Sequence, residues 1–122
     1  MNTRSLGAME IKSKDYSVYY DSVSEAVICQ GSLRLNGVDE YAPIVQLLND
    51  IADQEPPKIT LNLRKLEFLN SSGINVISKF VIKVRQKGNI PMLVLGSKDI
   101  PWQSKSLKNL QRLMPKLELE LE

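Results

Sequence analysis

The chain has 122 residues, 43% of them hydrophobic and 25% charged, with 16 basic and 14 acidic side chains, no histidine and one cysteine. That balance suits one globular domain with a real core and leaves no room for two. The lone Cys29 excludes a disulfide scaffold, and the missing histidine removes the commonest general base and the commonest metal ligand together.

No apolar run approaches the ~20 residues that span a bilayer. Met1-Asn2-Thr3-Arg4-Ser5-Leu6-Gly7 lacks the apolar stretch of a signal peptide, so no membrane insertion is expected and the expected location is cytoplasmic. Charge is uneven along the chain. Residues 1–67 hold seven basic and ten acidic side chains, whereas residues 79–116 hold nine basic ones and a single acid, Asp99. A basic half of this kind suits a solvated face or an acidic protein partner. With two Phe and one Trp available for stacking, direct DNA or other nucleic-acid binding is not expected.

Residues 1–9 read as a loose tail and residues 10–122 as the domain. Tyr16-Ser17-Val18-Tyr19-Tyr20 is aromatic and β-branched, a strand. After turn residues Asp21 to Glu25, Ala26-Val27-Ile28-Cys29-Gln30 gives a second, more buried strand that stops at Gly31, and the two pair as an antiparallel hairpin. Asn36-Gly37 marks a turn. Ile44, Leu47, Leu48 and Ile51 then fall on one helical stripe. Pro43, lacking an N–H, belongs in the first turn, which sets the helix start near Asp39 to Tyr41, and Glu55-Pro56-Pro57 ends it. Ile59 to Leu63 alternates as a third strand, and Arg64 to Leu69 reads as a connection. A second helix is predicted from about Ser72 to Lys87, with Ile74, Ile77, Val81 and Val84 as its core stripe and Gly88 as its stop. Met92 to Leu95 is a fourth strand. Pro101 opens a third helix with Leu107, Leu110, Leu113 and Met114 on one face, ended by Pro115, and Leu117, Leu119 and Leu121 form a last strand. The order β-β-α-β-α-β-α-β, with a right-handed crossover between the third and fourth strands, predicts an α/β domain: a mixed sheet with helices packed against it.

The segment Phe68-Leu69-Asn70-Ser71-Ser72-Gly73-Ile74 carries the functional signal. Asn70 or Ser71 is a good N-cap for the second helix. Gly73 lets something approach the backbone closely. A serine hydroxyl at a helix N-terminus is also a favourable place for a phosphate, because unpaired N–H groups and the helix dipole stabilise negative charge there.

The strand Ile59 to Leu63, then Leu66-Glu67-Phe68-Leu69-Asn70-Ser71-Ser72-Gly73-Ile74, then a helix and the strand Met92 to Leu95, resembles the core of STAS domains, the domains of bacterial anti-sigma factor antagonists and sulfate transporters. The order of elements agrees over residues 15–121, and the tight match covers about forty residues. The resemblance implies a single STAS-like domain that acts in transcription regulation through protein–protein interaction. Its implied partners are an anti-sigma factor that is also a serine kinase and a cognate phosphatase. It puts the phosphorylated serine at Ser71. The family usually carries Asp directly before the serine pair; this chain carries Asn70, which caps a helix as well as Asp does.

Partner contact is expected from Asn70, Ser71, Ser72, Gly73 and Asn75, and from Val76 and Ile82, which fall off the core stripe beside Lys79 and Lys83. No cofactor or metal is expected, and no catalytic residue. Glu40, Asp50 and Asp53 read as a solvated helix face, Cys29 as a small core residue, and Trp102 as a cover for a sheet edge. Two other readings of the fold remain. One is a constitutive scaffold or transporter-ATPase accessory subunit in which the serine is only a cap. The other is a sensor of a nucleotide or lipid at the Ser71 loop.

Overall fold

A computed structural model describes residues 10–122; the expected tail, residues 1–9, lies outside the described residues. Six strands and three helices follow in the order β1 (Glu10–Lys12), β2 (Tyr16–Asp21), β3 (Ala26–Leu33), α1 (Gly37–Asp53), β4 (Ile59–Leu69), α2 (Ser71–Lys87), β5 (Met92–Gly96), α3 (Pro101–Leu113) and β6 (Glu118–Leu121). The strands lie in one sheet in chain order. β1, β2 and β3 pair antiparallel, and β3 to β6 pair in parallel. Three successive crossovers that step the same way across a sheet, each right-handed, put all three helices on one face. α1 and α2 are accordingly neighbours, as are α2 and α3.

That face is the core. The register aligns Tyr20, Val27, Leu61, Val94 and Leu119 across five strands, and Val27, Leu61 and Val94 are fully buried. The α1 stripe meets it as the spacing requires, with Ile44, Leu47, Leu48 and Ile51 all buried. On α2 the buried set is Gly73, Ile77, Phe80, Val81 and Val84; Phe80 joins the expected stripe and Ile74 is only half-buried. Leu107 and Leu110 anchor α3, with Met114 buried just beyond it. Cys29 is buried among these side chains, and desolvation pushes its thiol up to about 12.

The sequence reading needs four corrections. The short β1 adds a sixth strand at the sheet edge, so the order is β-β-β-α-β-α-β-α-β. β3 runs past Gly31, whose φ of +89° lets the chain kink against the Asp15 carbonyl and resume its ladder. Arg64 to Leu69 is not a connection but the second half of β4. Two one-residue register shifts against β3 insert extra residues there and break the alternation. Finally, α1 starts at Gly37, so Pro43 sits in the second turn, on an exposed side. Glu40 Oε1 accepts from the Asn36 N–H at 2.8 Å, whereas the Asn36 side chain makes no cap hydrogen bond of its own, so a first-turn carboxylate and not the N-cap side chain supports the earlier start.

β4 outruns β5, which pairs only with Ile59 to Asn62, so the second half of β4 has a free edge. Side chains from α3 close it. Gln103, fully buried, donates from Nε2 to the carbonyls of Leu63 (2.6 Å) and Leu66 (3.0 Å), and Trp102 Nε1 donates to Leu66 at 3.2 Å. Trp102 thus covers a sheet edge. The carboxyl ends of the parallel strands and the N-termini of the helices share one end of the domain, where Asn70 and Ser71 lie.

Candidate functional site

Asn70 is the N-cap of α2, and its side chain is used at both ends. Oδ1 accepts from the Gly73 N–H at 2.9 Å and from the Tyr41 hydroxyl at 2.7 Å. Nδ2 donates to the Leu35 carbonyl at 2.8 Å, and the Asn70 backbone N–H donates to the Leu33 carbonyl at 3.2 Å. One residue therefore ties together the helix start, the end of β3 and the buried face of α1. Burial pushes the Tyr41 phenol up from its ordinary range, which keeps it a donor. An Asp at this position would cap the helix equally but would have no proton to give Leu35.

Gly73 is buried beneath this network. A side chain there would run into Leu69 Cδ1 and would stand 2.6 Å from the Tyr41 hydroxyl. The close approach that a glycine allows is thus taken by the protein's own Tyr41 and Leu69, not left open for a ligand.

Ser71, the first residue of α2, is exposed, and Ser72 is half-buried. Because Asn70 holds the cap, neither serine is needed for it. Neither hydroxyl has a hydrogen-bond partner among the described residues. The backbone N–H groups of Ser71 and Ser72 have no acceptor within the helix, since the first turn precedes any i−4 carbonyl.

Beside the serines, α1 and α2 leave a cleft of about 320 Å³ between them. Val38, Tyr41, Val45, Leu48 and Asn49 line it from α1; Ser72, Asn75, Val76, Lys79 and Phe80 line it from α2. Tyr41, Leu48 and Phe80 are buried, and Val38 stands at the opening with 83% of its surface exposed.

The expected partner-contact residues therefore separate into groups. Asn70 and Gly73 are committed to the fold. Ser71 is exposed at the helix start, while Ser72, Asn75, Val76 and Lys79 line the cleft. Ile82 is half-buried and lies outside it. Val76 and Ile82, six residues apart, point about 120° away from each other around the helix. Lys83 pairs with Asp53 of α1 at 3.2 Å, as Lys87 does at 3.1 Å. Those two lysines, Lys87 first, hold the exposed Asp53 carboxyl below its usual range. The α1 wall of the cleft was not read from the sequence. Val38 and Val45 lie off the main α1 stripe, which was the available signal.

Among the described residues, no helix is long and apolar enough to cross a membrane, and no cluster of His, Cys, Asp and Glu could hold a metal ion. No protein-family model matches the chain, and no curated protein matches it by sequence. Solved structures do match it in shape. A crystal structure of the diguanylate cyclase SiaD in complex with its activator SiaC from Pseudomonas aeruginosa aligns with a TM-score of 0.70 at 10% identity, covering 94% of this chain and 100% of that one. SiaC of Pseudomonas aeruginosa aligns at 0.68 and 11% identity over 93% and 95% of the two chains. Its apo form aligns at 0.69 and 12% identity over 93% and 98%. This chain has the α/β fold of those structures: one domain, a mixed six-stranded sheet and three helices.

Proposed function

We propose that this protein is a regulatory protein-binding module without turnover of its own. In this reading it docks a partner protein on the N-terminal end of α2 and the adjoining cleft, and phosphorylation of Ser71 releases that partner. The observation that carries the reading is the exposed Ser71 at the first position of α2, with no hydrogen-bond partner among the described residues and with the cap supplied by Asn70. The fold leaves that hydroxyl unused.

Two further points support it. The neighbour SiaC is named as the activator of a diguanylate cyclase, so a fold of this shape serves elsewhere as a protein regulator. A phosphate on Ser71 would sit against the N-terminus of a 17-residue helix, where an anion is favoured by ~0.3–1 kcal/mol, so modification would leave the fold intact and act on the interface. The scaffold alternative, in which the serine serves only as a cap, loses that premise because Asn70 holds the cap position. By the STAS resemblance the partner would be an anti-sigma factor with serine kinase activity, and a phosphatase would reset the switch. Phosphopeptide mapping of the protein isolated from its host tests the modification. Phosphate on Ser71 is the expected result; a protein unmodified at Ser71 in every growth condition, or modified only at Ser72, would overturn it.

A further inference from the structure

We infer that the cleft between α1 and α2 takes one amphipathic helix of the partner, with apolar residues on the buried side and a carboxylate against Lys79. This rests on the reading of the protein as a binding module and names the chemistry of what it binds.

The dimensions suit a chain segment. Along α1 the lining runs from Val38 to Asn49, and along α2 from Ser72 to Phe80. At 1.5 Å rise per residue these walls are about 16 Å and about 12 Å long, the length of roughly 8–11 helical residues. Two or three anchors spaced at i, i+3 or i+4, and i+7 fit that length, which is how a helix lies in an apolar groove. The floor is apolar, and Val38 at the opening is a large hydrophobic side chain that the fold leaves 83% exposed. Covering it is a gain that only a partner can supply.

Charge fixes the rest. Lys79 is the only charged side chain among the residues lining the cleft, and it has no ion pair among the described residues. Lys83, one turn further on, is already held by Asp53. α2 also presents its N-terminal, positive end to the mouth through Ser72, with no acid in its first turn, whereas the first turn of α1 already carries Asp39 and Glu40. An acidic residue at the α2 edge of the incoming helix satisfies both Lys79 and that helix end, and a basic one is repelled by them.

The test uses two capped synthetic peptides of about 14 residues with identical leucine spacing, one carrying Glu and the other Lys at the flanking positions. Each is titrated into the full-length protein while backbone amide resonances are followed. The Glu peptide is expected to shift the amides of Val38, Val45 and Val76 and to bind about fivefold tighter than the Lys peptide. In Lys79→Glu the order of the two peptides should reverse. Equal binding of both peptides, or shifts confined to other surfaces, would overturn the inference. So would cleft amides that move with protein concentration alone, which would mean a second copy as occupant, or that respond to decanoate more strongly than to either peptide. A Glu preference in the parent supports the occupant even where Ser71→Asp leaves host partners bound, so the cleft and the phosphoswitch fail separately.

Discussion

The Tyr41 hydroxyl donates a hydrogen bond to Asn70 Oδ1 at 2.7 Å, joining the buried face of α1 to the first turn of α2 across 29 positions of sequence. The same oxygen caps the helix through the Gly73 N–H, and the amide nitrogen holds the Leu35 carbonyl. Both walls of the cleft are therefore fixed relative to one another at the end where Ser71 is displayed.

Removing the Asn70 side chain should cost more than a helix cap alone. A lost cap is worth ~1 kcal/mol. Asn70→Ala also leaves the Leu35 carbonyl without this partner and the Tyr41 hydroxyl with only its longer bond to the Leu33 carbonyl at 3.4 Å, and a buried orphan costs about 1–3 kcal/mol. Urea unfolding is expected to show a loss of about 2–4 kcal/mol. Asn70→Asp keeps the cap and the Tyr41 bond but loses the donor to Leu35, so it should fall between parent and Asn70→Ala. A parent-like midpoint for Asn70→Ala would contradict the network.

At an open helix position, Gly→Ala stabilises by ~1 kcal/mol. Gly73→Ala should do the opposite, because the added methyl meets Leu69 Cδ1 and the Tyr41 hydroxyl. Overpacking of this kind costs about 1–3 kcal/mol. Combining it with Tyr41→Phe, which removes the hydroxyl from the clash, should cost less than the sum of the single changes. Strict additivity in the double-mutant cycle would mean that Gly73 and Tyr41 do not press on each other.

Burial pushes the Cys29 thiol from its ordinary 9.0 up to about 12. Its neutral form is therefore favoured by folding. The sign follows: this contribution is fully present below pH 9 and is lost as pH rises toward 12. Because the thiolate is the reactive form, native protein at pH 8 should resist thiol reagents, and labelling should track the unfolding rate. Rapid labelling of the native chain would show that the site opens locally.

Much of this arrangement was legible in the residues. The α1 stripe is clean because each of its four apolar positions faces the same sheet. Pro101 and Pro115 bound α3 for the steric reasons that proline always imposes. What was missed depends on distant partners. The second half of β4 carries Arg64, Lys65 and Glu67, and two register shifts hide its alternation, so only its pairing with β3 reveals a strand. Gln103 falls four residues before Leu107 on the apolar stripe of α3, but a polar residue there does not announce that it is fully buried to give donors to the free edge of β4. Asn70 was visible as a cap, but its second role needs Tyr41 and Leu35, which sequence spacing does not bring near. Gly73 drew the right attention for a different reason: the close approach it permits is internal.

The central claim is that Ser71 is a switch on the interface and not a support of the fold. It is tested most directly by quantitative affinity capture from host lysate with the parent, Ser71→Ala, Ser71→Asp and Ser72→Ala, each checked for thermal stability. An Asp at the first position of α2 is compatible with the helix dipole, so Ser71→Asp should melt within a few degrees of the parent or slightly above it. The account expects Ser71→Ala and Ser72→Ala to retain the parent's partners, and Ser71→Asp to lose them by about tenfold or more. Should Ser71→Asp capture the same proteins in the same amounts as the parent, the switch at Ser71 is wrong.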